Sequence, residues 1–310
     1  MKKKLIISGI LVLLFVASLI GRGCYRGALG SDAAKRWQGN GEVEYRRISV
    51  YFDSNCAITV SDAIYAKSGM SSRITEGNEE AKLLAVWGRE EESEVRAGER
   101  EAYCRVILTG EDFFLMRGYR FLSGGEYGFG EGSVIANEYA AHALFGSEDC
   151  TGLMLKRGET YEKVHGVVRD GEKTPVLYAF LSDRGAVTFF ETILPEYIKG
   201  YARDVVSVYF YEDEGTVIRE NDTRYETGNL REELKKEFDE NEQPISFRVP
   251  FWEYRERRAE RILTVWNITV MILSVPAVIS LMPILWTVGA RAYRWIRRRR
   301  TARRERRSMI

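Results

Sequence analysis

Two apolar runs bracket a long stretch of mixed polarity. The longer is Ile262–Val288, 27 consecutive residues without a charge in a chain where 29% of residues are charged. At about 1.5 Å rise per residue, a helix of that length spans roughly 40 Å, more than the roughly 30 Å of a bilayer core. Pro276 and Pro283 lie inside it and are expected to bend it, as membrane helices allow. The shorter run, Leu5–Gly21, follows Lys2, Lys3 and Lys4. It reads as an uncleaved membrane anchor. Gly21 and Gly23 have the spacing of a cleavage site before Cys24, but Arg22 between them is a poor neighbour for cleavage. A lipoprotein signal would also carry an apolar residue where Gly21 stands.

Between the runs, the alternation of Tyr45–Phe52 predicts a strand with Ile48 and Val50 on one face and Tyr51 on the other. Ile58–Lys67 reads as a short helix, residues 68–78 as a Gly/Ser/Glu-rich loop, and Leu83–Trp87 as a short apolar run. Glu90–Arg100 reads as a charged turn region, followed by a strand at Ala102–Leu108. Glycines 124, 125, 128, 130 and 132 mark a winding loop. Next come a strand at Ser133–Ala136 and a helix capped by Asn137, with Tyr139, Ala140, Ala143 and Leu144 as its buried face and Gly146 as its C-cap. Tyr161–Val168, Val176–Leu181 and Ala186–Ile193 read as strands, with residues 194–202 leading to the apolar stretch Val205–Tyr211. Asn229–Glu240 predicts a helix with Leu230, Leu234 and Phe238 as its stripe and Glu232 completing a box-like cap. A short strand, Ile245–Val249, precedes Pro250. From Trp252 no breaker interrupts the path into the long apolar run, so one continuous helix is expected there.

Charge sharpens this picture. Of 46 basic and 45 acidic residues, residues 1–30 hold five basic and no acidic ones, and residues 289–310 hold ten arginines and one glutamate. The remaining 31 basic and 44 acidic groups all fall in 31–261, because 262–288 has none, and they leave that body at −13. An acidic body between basic ends argues against nucleic acid as partner. The positive-inside rule places both ends in the cytoplasm and the body outside it. The tail after Arg297 then anchors topology and contacts anionic lipid. The expected organisation is a lysine-bearing anchor at 1–24, an extracytoplasmic domain at 25–260, a transmembrane helix at 261–289 and a cytoplasmic basic tail at 290–310.

Candidate chemistry is sparse, and no catalytic, cofactor-binding or metal-ligating residue is singled out. Cys24, Cys56, Cys104 and Cys150 form no CxxC pair. Outside the cytoplasm one disulfide among the last three is conceivable, but a domain of this size does not need it, and free buried thiols are expected. The glycine loop lacks the GxxxxGK[ST] spacing of a phosphate cradle, so no ATPase is expected. The two histidines stand apart. His142 is expected on the solvent side of its helix, and His165 lies in a strand without a second ligand nearby in sequence. A Ser/His/Asp triad assembles over distance, so spacing alone does not address it, but no GxSxG elbow occurs. Glu90, Glu91 and Glu92 lack a calcium-loop pattern and read as solvated charges. An enzyme is not expected.

Two segments carry a resemblance. GEDFFLMRGYRFLSGG and GSVIANEYAAHALFGSEDCTGLMLKRGETYEKVHGVV together resemble the periplasmic core domain of MacB-like, FtsX-type ABC transporter permeases. The matching positions begin with Gly110, Phe113 and Phe114, then Leu122, Ser123 and Gly124. Ile135, Ala140, Leu144, Phe145 and Gly146 follow, then Gly152, and last Tyr161, Val164, Gly166, Val167 and Val168. The likeness extends from about Tyr45 to Phe247. It implies an α/β (mixed α+β) extracytoplasmic domain of two lobes, one inserted near 95–180, without catalytic residues or cofactors. It also implies ATPase and permease partners, with self-association as a further arrangement. Such permeases carry four membrane helices, whereas two are read here. The resemblance therefore implies a membrane-anchored subunit of an export or peptide-response transporter. The alternative is a free-standing extracellular binding or scaffold protein.

Overall fold

The computed structural model describes residues 2–29, 33–39, 41–77, 82–110, 112–182, 185–230 and 249–308. Its helices are α1 (Lys2–Leu29), α2 (Ala33–Gln38), α3 (Val60–Gly77), α4 (Asp112–Arg117), α5 (Glu138–Phe145), α6 (Tyr201–Ser207) and α7 (Phe251–Ser308). Its strands are β1 (Tyr45–Phe52), β2 (Ile58–Thr59), β3 (Leu84–Ala97), β4 (Arg100–Thr109), β5 (Arg120–Gly124) and β6 (Ser133–Asn137), then β7 (Met154–Arg157), β8 (Thr160–Arg169), β9 (Val176–Phe180), β10 (Ala186–Val187), β11 (Phe189–Pro195) and β12 (Thr216–Glu220). The chain divides into a larger unit, Ser31–Arg224 with Lys236–Arg257, and a smaller one, Met1–Gly30 with Tyr225–Lys235 and Arg258–Ile310.

The larger unit is built on a mixed sheet in the order β12-β1-β11-β3-β4-β9-β6-β8-β5, with β7 pairing to β3 and β8. Most neighbours are antiparallel, whereas β4–β9 and β6–β8 are parallel. Strand alternation sends successive side chains to opposite faces. Ile48 and Val50 therefore join α3 and α6 in one apolar cluster, while Tyr51 joins an aromatic cluster with Phe113, Phe114, Tyr178, Phe189 and Trp252. A third cluster lies under α5, with Ala140, Ala141 and Leu144 against Val106, Val134 and Val167. Asn137 caps α5 by accepting from Ala140 N, and Gly146 ends it in the left-handed region at φ 76°.

Several expectations require correction. The residues read as a loop at 68–78 form, up to Gly77, the second half of α3. Ala63, Ala66, Met70 and Ile74 supply its buried stripe at helical spacing. At Gly69 the Tyr209 ring packs close, so a Cβ there would stand 2.3 Å from the hydroxyl and require Tyr209 to shift. Glu90–Arg100 is not a turn region; it belongs to a long β3–β4 hairpin whose ladder runs from Gly88↔Thr109 to Ala97↔Arg100. On α5 the buried face includes Ala141 rather than Ala143, and Tyr139 is partly exposed. The apolar stretch 205–211 opens as the end of helix α6, Val205–Ser207. The helix expected at 229–240 and the strand at 245–249 lie almost wholly outside the described residues.

The smaller unit contains α1 and the part of α7 from Arg258 onward. By length and composition, Ile6–Gly27 and Phe251–Met282 contain helices able to cross a membrane. Trp266 Nε1 donates to Ser18 Oγ at 3.0 Å, and the Tyr25 ring lies 6.0 Å from the Trp266 ring. Gly21 permits this approach, since a Cβ there would stand 2.7 Å from the Trp266 ring. Tyr225, Leu230, Ala259 and Leu263 close the packing against Tyr25 and Leu29.

Candidate functional site

The densest buried polar chemistry of the larger unit surrounds residues 251–257, the first two turns of α7. Phe251, Trp252 and Glu253 are buried, and Glu256 and Arg257 lie one turn on along the same side. Pro250 starts the helix, its carbonyl accepting from Glu253 N at 2.9 Å and Tyr254 N at 3.3 Å. Glu90 on β3 reaches the N-terminus, where its carboxylate accepts from Phe251 N at 3.2 Å. A carboxylate there satisfies an orphan donor and complements the helix dipole. Arg105 on β4 holds Glu90 at 3.2 Å and lies over the Phe251 ring at 5.3 Å. Glu90 is thus no solvated charge.

Trp252 plugs the aromatic cluster, its ring 5.4 Å from Phe113 and 5.1 Å from Phe189. Its indole N–H donates to Glu191 Oε1 at 2.7 Å, and the Arg117 guanidinium lies 4.1 Å from its ring centre. Arg117 pairs with the same Glu191, which is wholly buried on β11. Tyr51 bridges onward, donating to Glu253 Oε2 at 3.3 Å. Arg224 then grips Glu253 with both terminal nitrogens, at 3.0 and 3.1 Å, and also pairs with Glu256. Arg47 on β1 takes the other Glu256 oxygen at 2.8 Å, and Arg257 Nε reaches Glu253 at 2.8 Å. Asn221 ties Arg224 back to the sheet, accepting from Arg224 at 3.1 Å and donating to Ser49 Oγ at 2.7 Å. Outside this ring, Arg255 donates to the Asp170 carbonyl at 3.3 Å.

Three carboxylates, Glu191, Glu253 and Glu256, therefore face four guanidiniums, Arg47, Arg117, Arg224 and the partly exposed Arg257, with Glu191 and Glu253 wholly buried. Burial alone would lower the Arg47 pKa, but Glu256 and Glu191 outweigh it and hold Arg47 more firmly charged than a free guanidinium. Burial pushes the Tyr51 phenol well above its ordinary value, reinforced by Glu253 and Glu191, so it stays a neutral donor. A buried network of this kind gives geometric register more than net stability, because desolvation offsets the attraction. What it can do is hold a helix root in one orientation. Proton transfer or nucleophilic attack would need a group facing an open cleft, and Tyr51, Glu191 and Glu253 are sealed.

Residues weighed from the sequence lie elsewhere. His142 is exposed, 3.6 Å from Glu148. His165 Nε2 meets the Tyr127 carbonyl at 2.8 Å and pins the glycine loop. All four cysteines are free thiols, with Cys104 and Cys150 buried. Among the described residues no cluster of His, Cys, Asp or Glu is placed to hold a metal ion. The socket had one sequence signal, the density of charge in WEYRERRAER directly before an apolar run. Its partners on β1, β3, β11 and α4 come from distant parts of the chain.

No family model and no curated protein matches the chain. Among solved structures it is similar to the periplasmic region of MacB from Actinobacillus actinomycetemcomitans, at 15% identity and a TM-score of 0.45, over 61% of this chain and 92% of that one. It is also similar to the extracellular domain of the noncanonic ABC-type transporter YknZ from Gram-positive bacteria, at 12% identity and a TM-score of 0.42, over 56% of this chain and 99% of that one.

Proposed function

We propose that the chain is a non-catalytic, membrane-anchored subunit of an ABC-type export or peptide-response transporter, and that its extracytoplasmic domain is coupled to the membrane through α7. The observation that carries this reading is the charged socket around residues 251–257: Arg224, Arg47 and Glu191 fix the root of a helix that continues to Ser308. A rigid root lets a helix transmit rotation or thrust, whereas a flexible linker would dissipate it. The sequence resemblance to MacB-like core domains supports the same role and supplies the partner classes, an ATPase and a permease. The lysines at the start and the arginines after Val288 support cytoplasmic ends and an outer domain.

Crosslinking in native membranes, followed by identification of the captured chains, tests the assignment. Capture of an ATPase and a permease is expected. A chain that crosslinks to neither stands outside any such transporter and leaves the free-standing binding protein as the better reading. With partners in hand, a non-hydrolysable ATP analogue should change the labelling rate of a cysteine placed at the exposed Tyr254. A Gly-Ser-Gly-Ser insertion after Arg261 should abolish that change.

A further inference from the structure

The smaller unit carries a groove of about 500 Å³ along one face of α7, lined by Arg261, Ile262, Val265, Trp266 and Thr269. Arg258 stands one turn before Arg261 on the same face. Both arginines are exposed, and neither has an ion pair or hydrogen bond among the described residues. From Ile262 to Val288 the chain is uncharged, so Arg261 is the last charge before the apolar run. The groove has a fixed wall, because Trp266 Nε1 donates to Ser18 Oγ at 3.0 Å and holds the indole against α1. Thr269 Oγ1 donates to Val265 O at 2.9 Å, so its hydroxyl proton asks nothing of a ligand. A groove along Val12, Val16 and Ile20 of α1, by contrast, has no charged residue in its lining.

We infer that the groove on α7 binds an anionic phospholipid of the membrane. Its phosphate lies on Arg258 and Arg261, and an acyl chain runs along Ile262, Val265 and Thr269 beside Trp266. Location selects the class of ligand. The surface of a membrane-spanning helix meets lipid, and a guanidinium at the first position outside the apolar run stands at headgroup depth. Charge selects among lipids. A guanidinium fork matches phosphate oxygens with paired N–H···O bonds. Arg258 and Arg261 stay unneutralised although residues 31–261 hold 13 more acidic than basic groups, so the charge they lack comes from outside the chain. A zwitterionic headgroup would bring its own cation to the same place and gain less. The inference rests on α7 crossing a membrane and is independent of the transporter assignment.

The full chain in detergent micelles is titrated with dioleoyl-phosphatidylglycerol or dioleoyl-phosphatidylcholine and read by native mass spectrometry. Phosphatidylglycerol should bind more tightly. Arg261→Gln should weaken it about fivefold and leave phosphatidylcholine nearly unchanged. Val265→Trp, which fills the groove, should weaken both lipids and keep the preference. Arg26→Gln on α1 and Val16→Trp in the uncharged groove should alter neither. All four side chains are exposed, so each variant should keep the parent's circular dichroism. Inorganic phosphate should not displace the lipid, because it has no acyl chain to offer the groove. Equal binding of the two lipids, equal losses for Arg261→Gln and Arg26→Gln, full binding to Val265→Trp, or displacement by inorganic phosphate would each overturn the inference. Release of the chain from membranes by alkaline carbonate would overturn the membrane reading and the inference with it.

Discussion

Asn137 shows how much one side chain organises. Its Oδ1 accepts from Ala140 N at 2.9 Å and Val176 N at 3.0 Å, so one oxygen caps α5 and starts β9. Its Nδ2 donates to Thr174 O at 2.9 Å and to Asp170 Oδ1 at 3.3 Å. The cap was legible in the sequence, because Asn before a helical apolar stripe is a local signal. The other partners were not, since Asp170 and Val176 reach it only through strand pairing. Asp170 is itself informative. Burial holds its carboxyl above the ordinary value of 3.8, against the hydrogen bonds from Glu172 N, Tyr178 and Asn137. A raised acid binds its proton more tightly in the folded chain than in the unfolded one. Its stabilising contribution is therefore full below the ordinary value and is lost as pH rises through the raised one. Asp170→Asn removes this titration while keeping an acceptor. Its thermal midpoint should fall less than the parent's between about pH 4 and pH 7. Parallel curves would refute the assignment.

At the scale of elements, the decisive case is α7. Its continuity was predictable from the absence of a breaker between Trp252 and the apolar run. Its grip was not. Glu253 is held by Arg224, Tyr51 and Arg257, two of which lie far off in sequence. Removing one partner leaves a buried charge, so Arg224→Met should cost about 3–5 kcal/mol. Arg224→Met combined with Glu253→Met should cost clearly less than the two single changes added together. Equal additivity in a double-mutant cycle, measured by chemical denaturation, would show that the pair does not act as a unit. The α3 and β3–β4 corrections share one cause. Glycine, serine and charge at 68–78 and 90–100 imitate loops, but Met70 packs with the sheet residues, Ile74 is buried and Glu90 finds Arg105. Tertiary partners override local preference there.

At the scale of the whole molecule, two apolar helices and an acidic mixed α/β domain make one chain. If both ends are cytoplasmic, a membrane-impermeant maleimide added to intact cells should label the exposed Cys56. A cysteine introduced at Ser308 should react only after permeabilisation. Cys104 and Cys150 should stay unmodified in either case, because burial pushes their thiols up to about 12 and about 11. Protection of Cys56 in intact cells would reverse the orientation. The sequence alone determined the two apolar helices, the partition of charge, the β1 faces and both caps of α5, because each depends on residues only a few positions apart. Only the tertiary structure decided the sheet order and the socket around residues 251–257. Each of these joins side chains from distant segments, and no local pattern records which strand will lie beside which.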